Sequence, residues 1–304
     1  MAGAAVPVAA KMSGMPGPPT QRRTGTVIGG RYEVRGLLGK GGQSAVYRAR
    51  DLREGDEVAL KILRRELVTD SDSRERMMRE AQALASLHHT AAVSVLDQCW
   101  TEDGALVLVT ELLHGQDLET VLAAAEARGV RVTVDAVRDL LQPIADTLEA
   151  AHQIGIVHRD LKPANILVID PAHGGGTRLL DFGFAKFLRA RSFTADGTVA
   201  GSPSYIAPEA WSGRTETLDH RMDVYALGAI IYRALAGHPP FRADNLADML
   251  VAVTSHDRPS LHAVRPDLPR HIDDWVREAL AIEPTDRFER IRALWRAFLT
   301  FASR

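Results

Sequence analysis

Along residues 31–63 apolar and polar positions alternate. Tyr32-Glu33-Val34 leads into a glycine-rich bend, Ala45-Val46-Tyr47-Arg48-Ala49 alternates, and Glu57-Val58-Ala59-Leu60-Lys61-Ile62-Leu63 follows. A period of two with β-branched and aromatic residues predicts a small antiparallel sheet. From about Ser71 to His88 the period lengthens: Met77, Ala81, Leu84 and Leu87 mark the apolar stripe of a helix whose start carries Asp and Ser as capping candidates. A strand-like run from Leu106 to Val109 ends at Thr110-Glu111-Leu112-Leu113-His114-Gly115, a lobe boundary. Beyond it come Leu118 to Ala127, a helix around Val134 to His152, two short strands flanking Gly174-Gly175-Gly176, a long polar loop, and further helices. Strands first and helices afterwards predict an α+β protein with a cleft between lobes.

Composition narrows this picture. The chain has 304 residues, 45% hydrophobic and 25% charged, enough to bury a substantial core without disulfides. Lys+Arg 37 against Asp+Glu 39 leaves a formal charge of -2, which gives no hint of a nucleic-acid or membrane partner. Cys99 is the one cysteine, so no internal disulfide forms, and a reducing, cytoplasmic setting is expected. No stretch approaches the roughly twenty apolar residues of a membrane span; even Ala226 to Leu235 contains Arg233. Residues 1–25, rich in Ala, Pro, Gly and Met, read as a disordered tail without the pattern of a secretory signal.

The candidate chemistry begins at the bend Gly39-Lys40-Gly41-Gly42-Gln43-Ser44-Ala45-Val46, which lies between strands. Glycines there let backbone N–H groups approach phosphate oxygens, although a plain hairpin without a ligand reads the same way. Dinucleotide-binding and Walker-type loops are excluded, since each needs a helix directly after the glycines. Lys61 sits within an apolar strand and Glu80 on the apolar stripe of the helix. Each is costly to bury alone, and as a pair they satisfy one another and can orient phosphates; a snorkelling Lys61 and an edge Glu80 remain the alternative. Further on, Ile156-Val157-His158-Arg159-Asp160-Leu161-Lys162-Pro163-Ala164-Asn165-Ile166-Leu167 and Leu180-Asp181-Phe182-Gly183 bring two acids and an amide onto short loops, the groups that gather magnesium and orient a hydroxyl nucleophile.

These motifs, in this order, resemble the Hanks-type protein kinases over residues 31–298. The resemblance implies a bilobal protein-kinase fold, with a small β-rich N-lobe (31–110) carrying one main helix, a hinge (111–115) and a larger α-helical C-lobe (116–298). It implies a bacterial serine/threonine kinase that uses ATP with Mg2+, for which Mn2+ can substitute, acts on protein substrates, and meets a second copy in a transient homodimer for autophosphorylation. Asp160 resembles the catalytic base, Lys162 the group that stabilises charge on the transferring phosphoryl, and Asn165 and Asp181 the metal ligands. ATP is expected to contact Leu38, Gly39, Lys40, Gly41, Gly42, Gln43, Ser44, Ala45 and Val46 of the hairpin. Lys61 would grip the α- and β-phosphates with Glu80 positioning it, and Ala59 and Leu167 complete the contacts. Thr110, Glu111 and Leu113 resemble the residues lining the adenine pocket, and Asp117 is placed to reach the ribose or, alternatively, to cap a helix. Lysine at 162 resembles the serine/threonine branch.

Ala207-Pro208-Glu209 resembles the close of the activation segment, Arg287 the ion-pair partner of Glu209, and Asp223 the aspartate that holds the catalytic loop's backbone. Arg159 precedes Asp160 and can pair with a phosphate, so Thr194 and Thr198 are the expected autophosphorylation sites. Phe184 resembles residues that accompany a preference for serine, and target choice is expected to rest on the surface around Ser202 to Tyr205. Three features depart from the family pattern: Ser44 replaces the third glycine, His88-His89-Thr90 replaces the usual loop, and Ala172-His173-Gly174-Gly175-Gly176 lengthens a hairpin tip. A pseudokinase scaffold would lack Lys61, Asp160, Asn165 or Asp181, and all four are present. A small-molecule phosphotransferase would not carry the complete Lys-Pro-x-Asn and Ala-Pro-Glu pattern.

Overall fold

The computed structural model describes residues 24–41, 44–63, 81, 83–182, 203–212 and 218–302. They divide into two compact units. The first takes the chain up to residue 89 with 93–116 and 169–174, and the second takes 90–92, 117–168 and the chain from 175 onward.

In the first unit the alternating stretches form the strands they predict. β1 (Val27–Ile28), β2 (Tyr32–Lys40), β3 (Ser44–Asp51), β4 (Glu57–Leu63), β5 (Val95–Trp100) and β6 (Leu106–Glu111) make one sheet in the order β1-β2-β3-β4-β6-β5. Every neighbouring pair is antiparallel. One face is apolar: Tyr32, Val34, Tyr47, Ala49, Val58, Leu60, Ile62, Val107 and Val109 pack into a single buried cluster, with Cys99 against it. The period-two pattern chooses this face, because a one-residue slip would turn the cluster to solvent. Polar ties close the sheet's end, where Arg31 grips Asp51 through Nε and Nη2 (2.8 and 2.6 Å) and the Tyr32 hydroxyl donates to Asp97 (2.6 Å). β1 and β5 carry too weak an alternation to have been predicted: β1 has two residues, and the β5 pattern is mostly half-buried. The bend is also narrower than the glycines suggest. Strand pairing runs through Gly39↔Val46 and Lys40↔Ala45, and Gly41 N–H donates to Ser44 C=O at 2.8 Å.

Of the helix expected over 71–88, only its end is described: residues 81 and 83–85 are helical. Glu80 lies outside the described residues, as do Gly42, Gln43, Gly183, Phe184, Thr194, Thr198 and Ser202.

The second unit is helical. After β7 (Gly115–Asp117) come α1 (Leu118–Ala127) and α2 (Val134–Gln153), then a 3-10 turn at Pro163–Asn165, β8 (Ile166–Ile169) and β9 (Thr177–Leu179). α3 (Arg221–Ala236), α4 (Leu246–Ser255), α5 (Leu261–Val264), α6 (Ile272–Ala279) and α7 (Ile291–Phe298) follow. Asp117 and Thr133 cap α1 and α2, accepting from Thr120 N–H and Ala136 N–H. α3 is the axis of this unit, since every residue from Met222 to Leu235 is buried. Gly228 makes its packing possible: a Cβ there would lie 2.9 Å from the Cβ of Ala279 on α6. None of the described helices is long and apolar enough to cross a membrane.

Two departures noted in the sequence acquire a structural context. Thr90–Ala92 belongs to the second unit, where Ala91 N–H donates to the buried Thr147 hydroxyl (2.9 Å) and Ala91 C=O accepts from Leu179 N–H (2.7 Å). The lengthened tip forms a 3-10 turn over Pro171–His173 followed by Gly174, Gly175 and Gly176, all with positive φ, and His173 stacks on His114 with ring centroids 4.4 Å apart.

Candidate active site

The second unit gathers most of the acids and amides singled out in the sequence. Lys162 Nζ donates to Asp160 Oδ2 at 3.0 Å, and Asn165 Nδ2 donates to Asp160 C=O at 2.8 Å and to Asp160 Oδ2 at 3.3 Å. Asn165 C=O accepts from Leu180 N–H at 2.8 Å, which ties the residue before Asp181 to the same loop. Two side chains, Lys162 and Asn165, thus converge on one carboxylate oxygen of Asp160.

Two buried groups hold this loop. His158, fully buried, faces Leu180 C=O through Nε2 (2.9 Å) and accepts Asp160 N–H at Nδ1 (3.3 Å). A neutral imidazole with its proton on Nε2 satisfies both, and burial pushes its pKa down, against the pull of the nearby acids. Asp223, in the first turn of α3, accepts His158 N–H (2.7 Å) and Arg159 N–H (2.9 Å), and pairs with His152 Nε2 (2.8 Å). Burial alone would raise the Asp223 pKa; the hydrogen bond and charge of His152, with those from His158, outweigh it and leave it lowered. With this support two non-glycine residues adopt positive φ, Arg159 at 62° and Asp181 at 53°. Each such residue costs about 1–3 kcal/mol and persists only where its surroundings over-determine it.

Glu209 and Arg287 form a two-pronged ion pair, with Nη1 to Oε1 at 2.8 Å and Nη2 to Oε2 at 2.6 Å. The remaining Arg287 donors go to Ala281, Ile282 and Arg221 carbonyls, so all five N–H groups are used and the side chain is fully buried.

In the first unit Lys61 lies mid-strand in β4, opposite Val46 on one side and Leu108 on the other, and is half-buried. Ala59 pairs with Thr110 and is buried. Leu38 is half-buried in β2. Gly39 and Gly41 are not among the glycines with positive φ, so conformation does not require them. A Cβ at Gly39 would meet nothing within 4 Å, and one at Gly41 only Ser44 O at 3.7 Å. What these glycines leave open is space beside the backbone, which fits the close approach of a phosphate. Ser44 likewise has an ordinary backbone, so a third glycine is not required there. At the end of β6 the Glu111 carboxylate accepts Ser94 N–H (2.8 Å), and Glu111 C=O accepts the Thr110 hydroxyl at 3.3 Å, keeping a second lone pair. Leu113 is half-buried and Leu167 is buried in β8. Asp117 uses both carboxylate oxygens to cap α1, on the amide and hydroxyl of Thr120 (2.8 and 3.1 Å), the alternative reading of that residue.

The donor set suits magnesium. Asn165 has its amide nitrogen committed to Asp160, leaving Oδ1, and Asp181 contributes carboxylate oxygens, hard ligands of the kind magnesium takes one or two at a time beside phosphates. Among the described residues no group of three or more His, Cys, Asp or Glu is placed to hold a metal ion.

Sequence reasoning missed His152 and Arg233. His152 meets Asp223 across 71 positions, and Arg233 meets Glu119 across 114, separations that leave no local pattern.

The comparisons agree with this geometry. The protein kinase domain model matches residues 32–298. The serine/threonine-protein kinase pkn3 of Myxococcus xanthus is 36% identical over 282 residues, 89% of this chain and 50% of that protein. PknL of Mycobacterium tuberculosis is 36% identical over 263 residues, 86% of this chain and 63% of that protein. The chain therefore spans only half to under two thirds of these relatives. The crystal structure of the Mycobacterium tuberculosis PknI kinase domain superposes with a TM-score of 0.69 at 29% identity, covering 92% of this chain and 98% of that one. By motif order, fold and family match, the chain belongs to the Hanks-type protein kinase family.

Proposed function

We propose that residues 31–298 form the catalytic domain of a bacterial serine/threonine protein kinase, moving the γ-phosphoryl group of ATP onto protein hydroxyls. The observation that carries this reading is the Asp160 carboxylate, held with Lys162 and Asn165 on a loop whose backbone is bonded by Asp223. Asp160 aligns the acceptor hydroxyl and takes its proton as the oxygen attacks the γ-phosphorus. Lys162 stabilises charge on the transferring group, and Lys61, positioned by Glu80, holds the α- and β-phosphates together with the glycine hairpin. Asn165 and Asp181 would hold Mg2+ or Mn2+, which when bound neutralises triphosphate charge. Residues 111–115 act as the hinge, with Glu111 C=O and Leu113 N–H on the adenine edge, and Asp117 near the ribose. ATP as donor places the reaction in the cytoplasm. Thr194 and Thr198 are autophosphorylation sites, modified by a second copy of the chain in a transient encounter.

The test is an assay with radiolabelled ATP, a generic serine-containing protein and the full chain beside Asp160→Asn. Label on protein that falls by about 10²–10⁴-fold in the variant is expected; equal labelling would refute the role of Asp160. Mass spectrometry after incubation with ATP checks Thr194 and Thr198, and an unmodified 184–204 segment would remove them.

A further inference from the structure

Of the eleven histidines, six are committed: among the described residues His88, His152, His158, His220, His238 and His262 each place a ring nitrogen against a carbonyl or carboxylate oxygen. His114 and His173 do not. Both are exposed, both belong to the first unit, and their rings stack with centroids 4.4 Å apart and planes 19° from parallel. Among the described residues neither ring makes a hydrogen bond, so the nitrogens of both remain open.

The backbone brings these rings together. Asp170 N–H donates to His114 C=O at 3.0 Å, and His173 N–H donates to Asp170 C=O at 2.8 Å, which winds the 3-10 turn Pro171–His173 directly against residue 114. Gly174 then ends the turn at a φ of 99°, a conformation that favours glycine. The lengthened hairpin tip is therefore what supplies the second ring, and two backbone bonds set it in place before any ligand arrives.

Two imidazoles on one tetrahedral metal ion, each nitrogen about 2.0–2.1 Å from it, stand about 3.3 Å apart at their nitrogens. Near-parallel rings 4.4 Å apart at their centres reach that separation by ring rotation alone. Imidazole nitrogen suits zinc, nickel and copper, whereas magnesium takes oxygen ligands, so this pair and the Asn165–Asp181 set select different ions. Among the described residues no third His, Cys, Asp or Glu joins the pair, so water completes the coordination and the ion exchanges with solvent.

We propose that His114 and His173 form a binding site for a divalent transition metal of the zinc class. The ion staples the hairpin tip to residue 114, the neighbour of Leu113. Resting on the kinase reading above, in which 111–115 is the hinge, the staple stiffens the hinge and alters the affinity for ATP.

The experiment uses the full chain without an affinity tag, with His114→Gln, His173→Gln and, as a control, His89→Gln. Calorimetric titration with Zn2+ in excess Mg2+ is expected to show one site in the parent and in His89→Gln that is weakened about a hundredfold in either pair variant, because a chelate becomes a single ligand. A hundredfold excess of Zn2+ over Kd should raise the parent melting temperature by about 5 °C and leave that of His173→Gln in place. His173 lies on an exposed tip, so this variant serves even if His114→Gln folds poorly. Equal Zn2+ binding by the parent and His173→Gln, or loss of the site in His89→Gln, would overturn the proposal. Titration with ATP and Mg2+ then reads the staple: saturating Zn2+ should shift ATP affinity at least threefold in the parent and not in His173→Gln. Zinc held by the pair with ATP affinity unmoved removes the coupling to the hinge. A parent that binds zinc through the pair and binds no ATP refutes the kinase reading and leaves the metal site standing.

Discussion

The catalytic loop of the second unit and the glycine hairpin of the first are built on opposite principles. In the loop the key groups are held by polar side chains: Asp160 by Lys162, Asn165 and His158, and the backbone at 158–159 by one buried aspartate. The hairpin instead pairs its strands through Gly39 and Lys40, closes with one backbone bond from Gly41 to Ser44, and leaves open space beside Gly39. Where a proton must be received at a fixed point, the fold spends buried polar groups; where a bulky triphosphate must be approached, it removes side chains. Damage to the loop should therefore register as lost stability and turnover together, and damage to the hairpin as lost affinity alone.

The largest effect is expected from Asp223→Ala. It strands the N–H groups of His158 and Arg159 and the His152 ring, each costing about 1–3 kcal/mol when buried without a partner. The sum is roughly 5 kcal/mol of stability. A loop displaced by even about 1 Å would also lower kcat by about 10²-fold. Urea unfolding and steady-state kinetics on the same sample check both parts. A variant with normal stability and lower kcat would break the comparison, because it would separate support from catalysis.

Next comes Arg287→Ala, which leaves Glu209 with its carboxylate facing a void where two hydrogen bonds stood. Removing one partner of a buried pair costs about 3–5 kcal/mol. The expected result is a large fall in melting temperature, measured by calorimetry, with Arg287→Lys intermediate because lysine cannot form the fork.

A third test uses pH. The Asp223 pKa is lower in the folded chain than in the unfolded one, so its contribution is fully present above the unfolded value, about 3.9 for an aspartate. That contribution drains away as pH falls through the lower folded value, because the unfolded state then binds the extra proton first. Urea midpoints measured from pH 6 down should fall more steeply in the parent than in Asp223→Asn, which has no carboxyl to titrate. Parallel slopes would place the acid sensitivity elsewhere.

How far all this could be read from the sequence differs between the same two regions. Strands β2, β3, β4 and β6 and the long helices α2 and α3 follow from periodicity, because burial of one face or of all faces is written locally. Asp160, Lys162, Asn165 and Asp181 were legible because they sit on two short segments. The partners that pin them were less so. His152 and Arg233 act across 71 and more positions, and a buried polar residue at the end of a helix looks in sequence like a solvated one. Asp117, for which the resemblance implied a ribose contact and the residue alone a helix cap, is seen as the cap of α1.

The smallest structural effect, and the sharpest distinction between the two regions, belongs to Gly39→Ala. Since Gly39 does not use positive φ and its Cβ direction is empty, alanine fits the folded backbone without strain. Its effect on folding comes from the unfolded chain, where alanine has fewer conformations to lose, a gain of about 0.4–1 kcal/mol. If the open space exists for a phosphate, the new methyl group occupies it, and ATP KM should rise about tenfold while the melting temperature holds or climbs. Stability and affinity then move in opposite directions, which no substitution in the catalytic loop is expected to do. Isothermal titration with ATP and Mg2+ beside thermal unfolding reads both. Unchanged ATP affinity in a folded Gly39→Ala chain would mean that the glycine serves the hairpin itself, and the contrast drawn between the two regions would lose its functional half.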